Sequence, residues 1–299
     1  MLCEEIEPDQ LEVYQGLHYA ERKYNGCRGL LDTRKTNNYM INNRRGGNYN
    51  YSLPELLEEM VEALPEGCVI DGEICVWRDN DVEDFTLAQR RVSTRQPSKV
   101  REYRRTMPVT FMAFDLIYTQ GVSIYNTTYE MRKAMLEELI ADIEPLNHIE
   151  CVYNSPRLRQ TWDTAIDEGW EGLVLKKSGS LYFPETRTWD WIKVKPTYNE
   201  IVTVIGYTKS TKRQFRSLVL VKDDKYMGHC GQGFSDEDLA KIDKRMLKYH
   251  GFVKWLELPN EKGVAVVPFK IKIKHYGLGP DGHYKNAIFE GIVDESNTT

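Results

Sequence analysis

Apolar residues recur every three or four positions at Leu56, Leu57, Met60, Val61 and Leu64, which predicts a helix over about 53–64. Pro54 suits its first turn, and Ser52 stands where a capping hydroxyl is expected. Met131, Met135, Leu136 and Leu139 share one face of a second predicted helix at about 129–142, with Thr128 as its cap. Arg157–Asp167 reads as a third. The other apolar stretches have strand character. Cys68–Trp77 is β-branched and apolar around an acidic, turn-like centre, Asp71-Gly72-Glu73. Val109–Tyr118 is almost continuously apolar, as a buried strand is, and two more strands are expected at Gly172–Lys177 and Trp191–Lys195.

After Pro196 the pattern changes. Short strands are predicted at 201–208, 217–222, 225–229, 264–276 and 287–293. One helix is predicted at 236–248, with Ser235 as N-cap and Asp236, Glu237 and Asp238 in the turn where the helix dipole favours them. Short strands around a single helix predict a small closed β-barrel of the five-stranded OB-fold type. The expected class is therefore α+β: a domain of antiparallel sheets and helices over 1–196, then an OB-fold domain over 197–299.

Composition narrows the class without naming a chemistry. The chain has 299 residues, 41% hydrophobic and 28% charged, which suits a soluble globular protein of two domains and excludes collagen-like or wholly disordered chains. No apolar run approaches the ~20 residues that span a bilayer, so no membrane association is expected. The acidic start, Met1 to Glu7, lacks the apolar core of a secretory signal. The six cysteines are scattered without C-x-x-C spacing, which points away from a disulfide framework or zinc site and towards a reducing, cytoplasmic setting. Net charge is −8 over 1–196 and +3 over 197–299. Within the acidic part, residues 90–105 carry seven positive side chains and one acidic one. A solvated helix and loop would explain that run; a groove tracking phosphates is the functional alternative.

Six short strings occur in a fixed order: Ala20-Glu21-Arg22-Lys23-Tyr24-Asn25-Gly26-Cys27-Arg28, Asn43-Arg44-Arg45-Gly46, Asp71-Gly72-Glu73, Phe111-Met112-Ala113-Phe114-Asp115, Glu171-Gly172-Leu173-Val174-Leu175-Lys176 and Trp191-Ile192-Lys193-Val194-Lys195. Each alone is weak, since lysine beside glycine is common in turns and phenylalanine in an apolar strand is usually core. In this order they resemble the covalent nucleotidyltransferases, and among them the minimal, two-domain ATP-dependent DNA ligases. The likeness is clear from about residue 19 to 196 and weaker beyond.

The resemblance implies an adenylation domain followed by the OB-fold domain. Lys23 would attack the α-phosphate of ATP and become lysyl-AMP. Glu21, Arg28, Glu73, Phe114, Lys193 and Lys195 would bind ATP or AMP, with Phe114 stacked on adenine. Glu73 and Glu171 would hold Mg²⁺, with Mn²⁺ as a substitute. Arg44, Arg90, Arg91 and Arg187 would contact DNA phosphates. The chemistry is coherent from the residues upward. A free lysine titrates near ~10.4 and is protonated at neutral pH. Lys193 and Lys195 alternate on a strand, so both are expected beside Lys23, where their charge would help release its proton. Gly26 allows a tight turn next to it.

Asp84-Phe85-Thr86-Leu87-Ala88-Gln89-Arg90-Arg91 is similar to a pattern that follows Asp-Gly-Glu in ATP-dependent DNA ligases, which favours nicked duplex DNA as partner. RNA ligase, capping-type nucleotidyltransferase and non-catalytic nucleic-acid-binding relative are the alternatives. Two departures stand out: Asn25 replaces the usual aspartate of the nucleophile string, and Ile292 falls where a C-terminal arginine is common. The short segment before Lys23 leaves no room for a large N-terminal DNA-binding domain, so a monomeric minimal ligase is expected, cytoplasmic, nucleoid-associated or virus-encoded, with a hinge near Pro196–Asn199.

Overall fold

The computed structural model describes residues 1–78, 82–143, 145–246, 257–258, 261–279 and 281–293. The chain divides into two compact units, Met1–Lys195 and Pro196–Thr299. In chain order, the first contains β1 (Leu2–Ile6), β2 (His18–Arg22), β3 (Cys27–Asp32), β4 (Met40–Asn43), α1 (Pro54–Ala63), β5 (Val69–Val76), α2 (Phe85–Ser93), α3 (Pro97–Thr106), β6 (Val109–Thr119), β7 (Val122–Ser123), α4 (Tyr129–Ile143), β8 (Ile149–Cys151), β9 (Asn154–Ser155), α5 (Leu158–Asp167), β10 (Leu173–Lys177) and β11 (Arg187–Val194).

These strands form two sheets. One has the order β1-β11-β10-β2-β9; the other has the order β4-β3-β5-β6-β7, with β8 on β6. The sheets are mixed rather than purely antiparallel as the sequence predicted: β1 runs parallel to β11, and β8 parallel to β6. Long-range partners chosen by burial set those two pairings, and local periodicity carries no information about strand direction. Apolar residues of the second sheet, among them Ile70, Ile74 and Phe111, pack against Leu56 and Met60 of α1 and Leu136 of α4. The first sheet packs Leu173 and Ile192 against Leu158 and Trp162 of α5. A smaller cluster of Val69, Ile117, Tyr182 and Trp191 combines residues of both sheets. The chain leaves the first sheet at the end of β2 and enters the second at β3, so residues 23–26 cross from one to the other.

Two local expectations change. Asp71-Gly72-Glu73 does not turn: β5 runs unbroken through it, with only a register shift against β6 between Asp71 and Gly72. A Cβ on Gly72 would sit 2.3 Å from the Phe111 ring, so glycine is needed there for packing. Ser52 does not cap α1, whose N-cap position is Leu53. Its buried hydroxyl faces the carbonyls of Val92 and Thr94 instead, 3.0 and 2.9 Å away.

The second unit contains β12 (Tyr198–Thr208), β13 (Ser217–Lys222), β14 (Lys225–Cys230), α6 (Asp236–Arg245), β15 (Glu257–Leu258), β16 (Glu261–His275) and β17 (Ile288–Ile292). Its sheet runs β14-β13-β12-β16-β15, with β17 also on β16, and a parallel bridge joins Gln232, just past β14, to Ile288. The alternating apolar residues Val202, Val204, Leu218, Leu220 and Ile271 point to one core, which α6 meets through Ile242. Ser235 caps α6 as expected, accepting from the Asp238 amide at 3.1 Å. The predicted end of that helix, residues 247–248, lies outside the described residues. Among the described residues no helix is long and apolar enough to cross a membrane.

Candidate active site

Lys23 lies immediately after β2, and its amide donates to the carbonyl of Gly172 at 2.9 Å. Gly172 has φ +143°, and a Cβ there would meet the Val194 carbonyl oxygen at 2.1 Å. A Cβ on Gly26 would lie 2.3 Å from the Ile74 carbonyl oxygen. Both motif glycines are therefore close-approach positions that press the loop carrying Lys23 and the Glu171 loop against neighbouring strands.

The Lys23 ammonium contacts Glu171 Oε2 at 2.6 Å, while Lys195 Nζ takes Glu171 Oε1 at 2.9 Å. Burial acts to lower the Lys23 pKa, but the Glu171 carboxylate, helped by Glu73, outweighs it and holds the amine above its ordinary value. The expected setting of cations around Lys23 is thus corrected: its immediate partner is an anion, and the amine is an ammonium. Burial also works to raise Glu171, yet Lys23 and Lys195 keep it below the usual carboxylate range. Lys193 does not join this cluster. β1 lies alongside β11, with Glu5 opposite Lys193, and the two side chains pair at 2.9 Å. Of the two alternating lysines, Lys195 reaches the Glu171 pair, because only the tertiary neighbour β1 supplies a competing carboxylate.

Glu73 behaves differently. Burial pushes its carboxyl up to about 8, against the opposing pull of Lys23 and Arg28. No hydrogen bond among the described residues reaches that carboxyl. It lines a cavity of about 130 Å³ together with Lys23, Arg28, Phe114, Lys176 and Trp191. Phe114 is half-buried on the cavity wall, edge-on to Trp191 with ring centroids 5.8 Å apart. Its ring lies 4.7 Å from Lys176 Nζ.

Glu21 also lines the cavity, but its buried carboxylate is occupied. It accepts from Tyr129 Oη at 2.7 Å and contacts Lys176 Nζ at 2.9 Å and Lys133 Nζ at 3.4 Å. Arg28 is bidentate to Asp71 at 2.9 and 2.5 Å. Sequence reasoning missed Lys176 and Trp191 as site residues. The signal was available: Lys176 follows Gly172 and Val174 by steps of two, and Trp191 precedes Lys193 and Lys195 by steps of two. Tyr129 and Lys133 come from α4, and no local pattern marks them.

The arginines expected at DNA divide. Arg44, in the turn after β4, and Arg90, on α2, are exposed, as is Arg187 at the start of β11. Arg187 also donates to the Cys3 carbonyl. Arg91 is a correction: it is fully buried, paired with Glu55 and hydrogen-bonded to the carbonyls of Ser52 and Met107. On α2 each position is rotated by about 100° from the one before, so Arg90 meets solvent while Arg91 turns to the core. Lys99, Arg101 and Arg105 of α3 extend the exposed basic face.

A family model for the ATP dependent DNA ligase domain matches residues 1–195. The chain belongs to the ATP-dependent DNA ligase family. A DNA ligase from Thermococcus fumicolans is 28% identical over 76% of this chain and 43% of its own length. DNA ligase 1 of Methanosarcina mazei is 28% identical over 100% of this chain and 54% of its own. The chain thus spans about half the length of these ligases. Among solved structures, a Lig E DNA ligase superposes with a TM-score of 0.69 at 17% identity, covering 98% of both chains. The ligase domain of M. tuberculosis LigD superposes with a TM-score of 0.54 at 21% identity, covering 99% of this chain and 96% of that one. These two likenesses establish a mixed α/β, nucleotidyltransferase-like ligase fold.

Proposed function

We propose that this ligase-family chain seals nicks in duplex DNA using ATP. Residues 1–196 act as the adenylation domain, and residues 197–299 as a barrel of the OB-fold type. The observation that carries the reading is the Lys23 Nζ, held 2.6 Å from Glu171 on the wall of a small aromatic cavity. In the first step the Lys23 ammonium gives up one proton, the freed lone pair on Nζ bonds to the α-phosphorus of ATP, the bond to pyrophosphate breaks, and the nitrogen sheds a second proton to leave the lysyl-AMP phosphoramidate. Glu171 is the base within reach of the first proton, and its ion pair orients the amine before attack. AMP then moves to the 5′-phosphate at the nick. The 3′-hydroxyl attacks that phosphorus, closing the strand and releasing AMP.

Phe114 offers its ring face to the adenine, Arg28 and Lys195 offset phosphate charge, and Glu21 holds Lys176 at the cavity wall. Arg44, Arg90 and Arg187 supply phosphate contacts on the exposed surface, joined by Lys99, Arg101 and Arg105. The donor set suits Mg²⁺ through Glu73, whose carboxyl has no hydrogen-bond partner among the described residues, beside a site for triphosphate oxygens; Glu171 would join it only by releasing Lys23 or Lys195. Among the described residues no group of three or more His, Cys, Asp or Glu side chains could hold a metal ion, so phosphate and water oxygens would have to complete the coordination. Such an ion neutralises charge on the phosphates when bound.

Incubation with α-labelled ATP should label the protein on Lys23, α-labelled GTP should not, and the labelled protein should seal nicked DNA faster than nicked RNA. Labelling by GTP, or preferential sealing of RNA, would transfer the chain to the capping or RNA-ligase reading.

Glu73 yields a separate prediction. Its folded-state pKa lies above the unfolded value, so the folded protein is most favoured with the group protonated and loses stability as pH rises from about 4.5 towards 8. Glu73→Gln removes that cost. It should stabilise the protein by about 1–2 kcal/mol at pH 8 and by almost nothing at pH 4, while lowering adenylylation. Denaturant titrations at the two pH values check the sign; equal effects at both would reject it.

A further inference from the structure

Arg22, the last residue of β2, directly precedes Lys23, and its guanidinium sits in an aromatic cage. The carbon at its centre lies 4.9 Å from the Trp170 ring, 5.0 Å from Tyr24 and 5.7 Å from Trp77. Its Nη2 pairs at 2.7 Å with Glu83, whose side chain is only 3% exposed. Its Nε is buried without a hydrogen-bond partner among the described residues. Ring faces and one carboxylate therefore hold this guanidinium, with no ladder of hydrogen bonds to fix it by other means.

The cage draws on three chain segments, and each leads into one member of the reactive cluster. Arg22 and Tyr24 flank Lys23 on both sides. Trp170 is the neighbour of Glu171, and it is tethered through Nε1 to Glu168 at 2.8 Å. Trp77 lies just beyond the end of β5, which carries Glu73, and its Nε1 donates to Thr110 Oγ1 of β6 at 3.1 Å. Tyr24 packs edge-on to Trp77, centroids 6.2 Å apart. The Lys23 amide also bonds to the Gly172 carbonyl, so the segments 22–24 and 170–172 are joined by a ring contact, a backbone hydrogen bond and an ion pair. Arg22 and Tyr24 also border the cavity that Lys23 lines, so the cage grips the chain on both sides of the ammonium.

We propose that Arg22 is a positioning residue for Lys23: its stacking with Trp170, Trp77 and Tyr24 locks the nucleophile loop to the segments bearing Glu171 and Glu73. This deepens the adenylylation reading and rests on it. The cage acts through Lys23, so it governs the rate of attack more than the capture of nucleotide. A displacement of about 1 Å at a nucleophile is enough to cost up to about a hundredfold in rate.

The test is single-turnover adenylylation with α-labelled ATP over a range of ATP concentrations. Arg22→Ala and Trp170→Ala should lower the maximal rate about 10- to 100-fold, with half-saturating ATP changed by less than about threefold. Arg22→Lys, which keeps a cation in the cage, and Trp170→Phe, which keeps a ring against it, should recover most of that rate. Wild-type rates in both alanine variants would overturn the proposal. So would matched losses of rate and ATP affinity that neither conservative variant rescues. Failure of the wild-type protein to take label would instead defeat the adenylylation reading itself.

Discussion

Lys23→Ala is expected to take no covalent label from α-labelled ATP, and to lose nick sealing with it. The loss should be complete within detection, because no other amine shares the position: Lys195 is drawn to the far oxygen of Glu171, and Lys176 is engaged by Glu21 and the Phe114 carbonyl. The fold should survive. Glu171 keeps Lys195 as its counter-ion, and Lys23 is only partly buried, so its removal leaves no unpaired interior charge. Intact-mass measurement before and after incubation with ATP reads the result, and a retained adenylate on the variant would refute the assignment. Supplying pre-adenylated nicked DNA separates the steps, because sealing of that substrate needs no lysyl-AMP and should persist in part.

Asp115→Ala should be the most destabilising single change in the first unit. Asp115 and Arg132 form an ion pair with both side chains 0% exposed, at 2.8 and 3.1 Å. Removing the carboxylate strands a guanidinium in the core, with the carbonyls of Thr127 and Ser180 and the Tyr182 ring as remaining partners and no counter-charge among them. Breaking such a buried pair from one side costs about 3–5 kcal/mol. The double variant Asp115→Leu, Arg132→Met should recover much of the loss, because no charge is left behind. Urea titrations of the three variants measure this. A single variant within about 1 kcal/mol of wild type would show that the pair is relaxed or hydrated. The Phe-Asp string thus has two jobs: Phe114 faces the cavity and Asp115 braces α4 from behind, as alternation on β6 requires.

The comparison of pattern with structure follows the range of each interaction. Helical spacing placed α1, α4 and α5 within a few residues, and continuous apolar runs placed β6 and β10, because burial of one face is written in consecutive side chains. The Ser235 cap was legible for the same reason, since donor and acceptor lie three residues apart. Ser52 misled, because its partners lie forty residues away on the C-terminal end of α2. Arg91 misled through composition. A run of seven positive side chains reads as one surface, whereas a helix sends its members to different sides and buries one of them.

The amino-acid string by itself marked the candidate reacting residues: a lysine, two glutamates beside glycines and an aromatic, in an order that resembles the covalent nucleotidyltransferases. What it left open was the electrostatic state of the lysine and the company it keeps. β1 pairs with β11 from the opposite end of the first unit, draws Lys193 away to Glu5, and leaves Lys23 facing Glu171. α4 brings Tyr129 and Lys133 to Glu21 from a hundred residues downstream. Residue identity is a local property, but a pKa depends on charges within a few ångströms, and folding alone decides which charges those are.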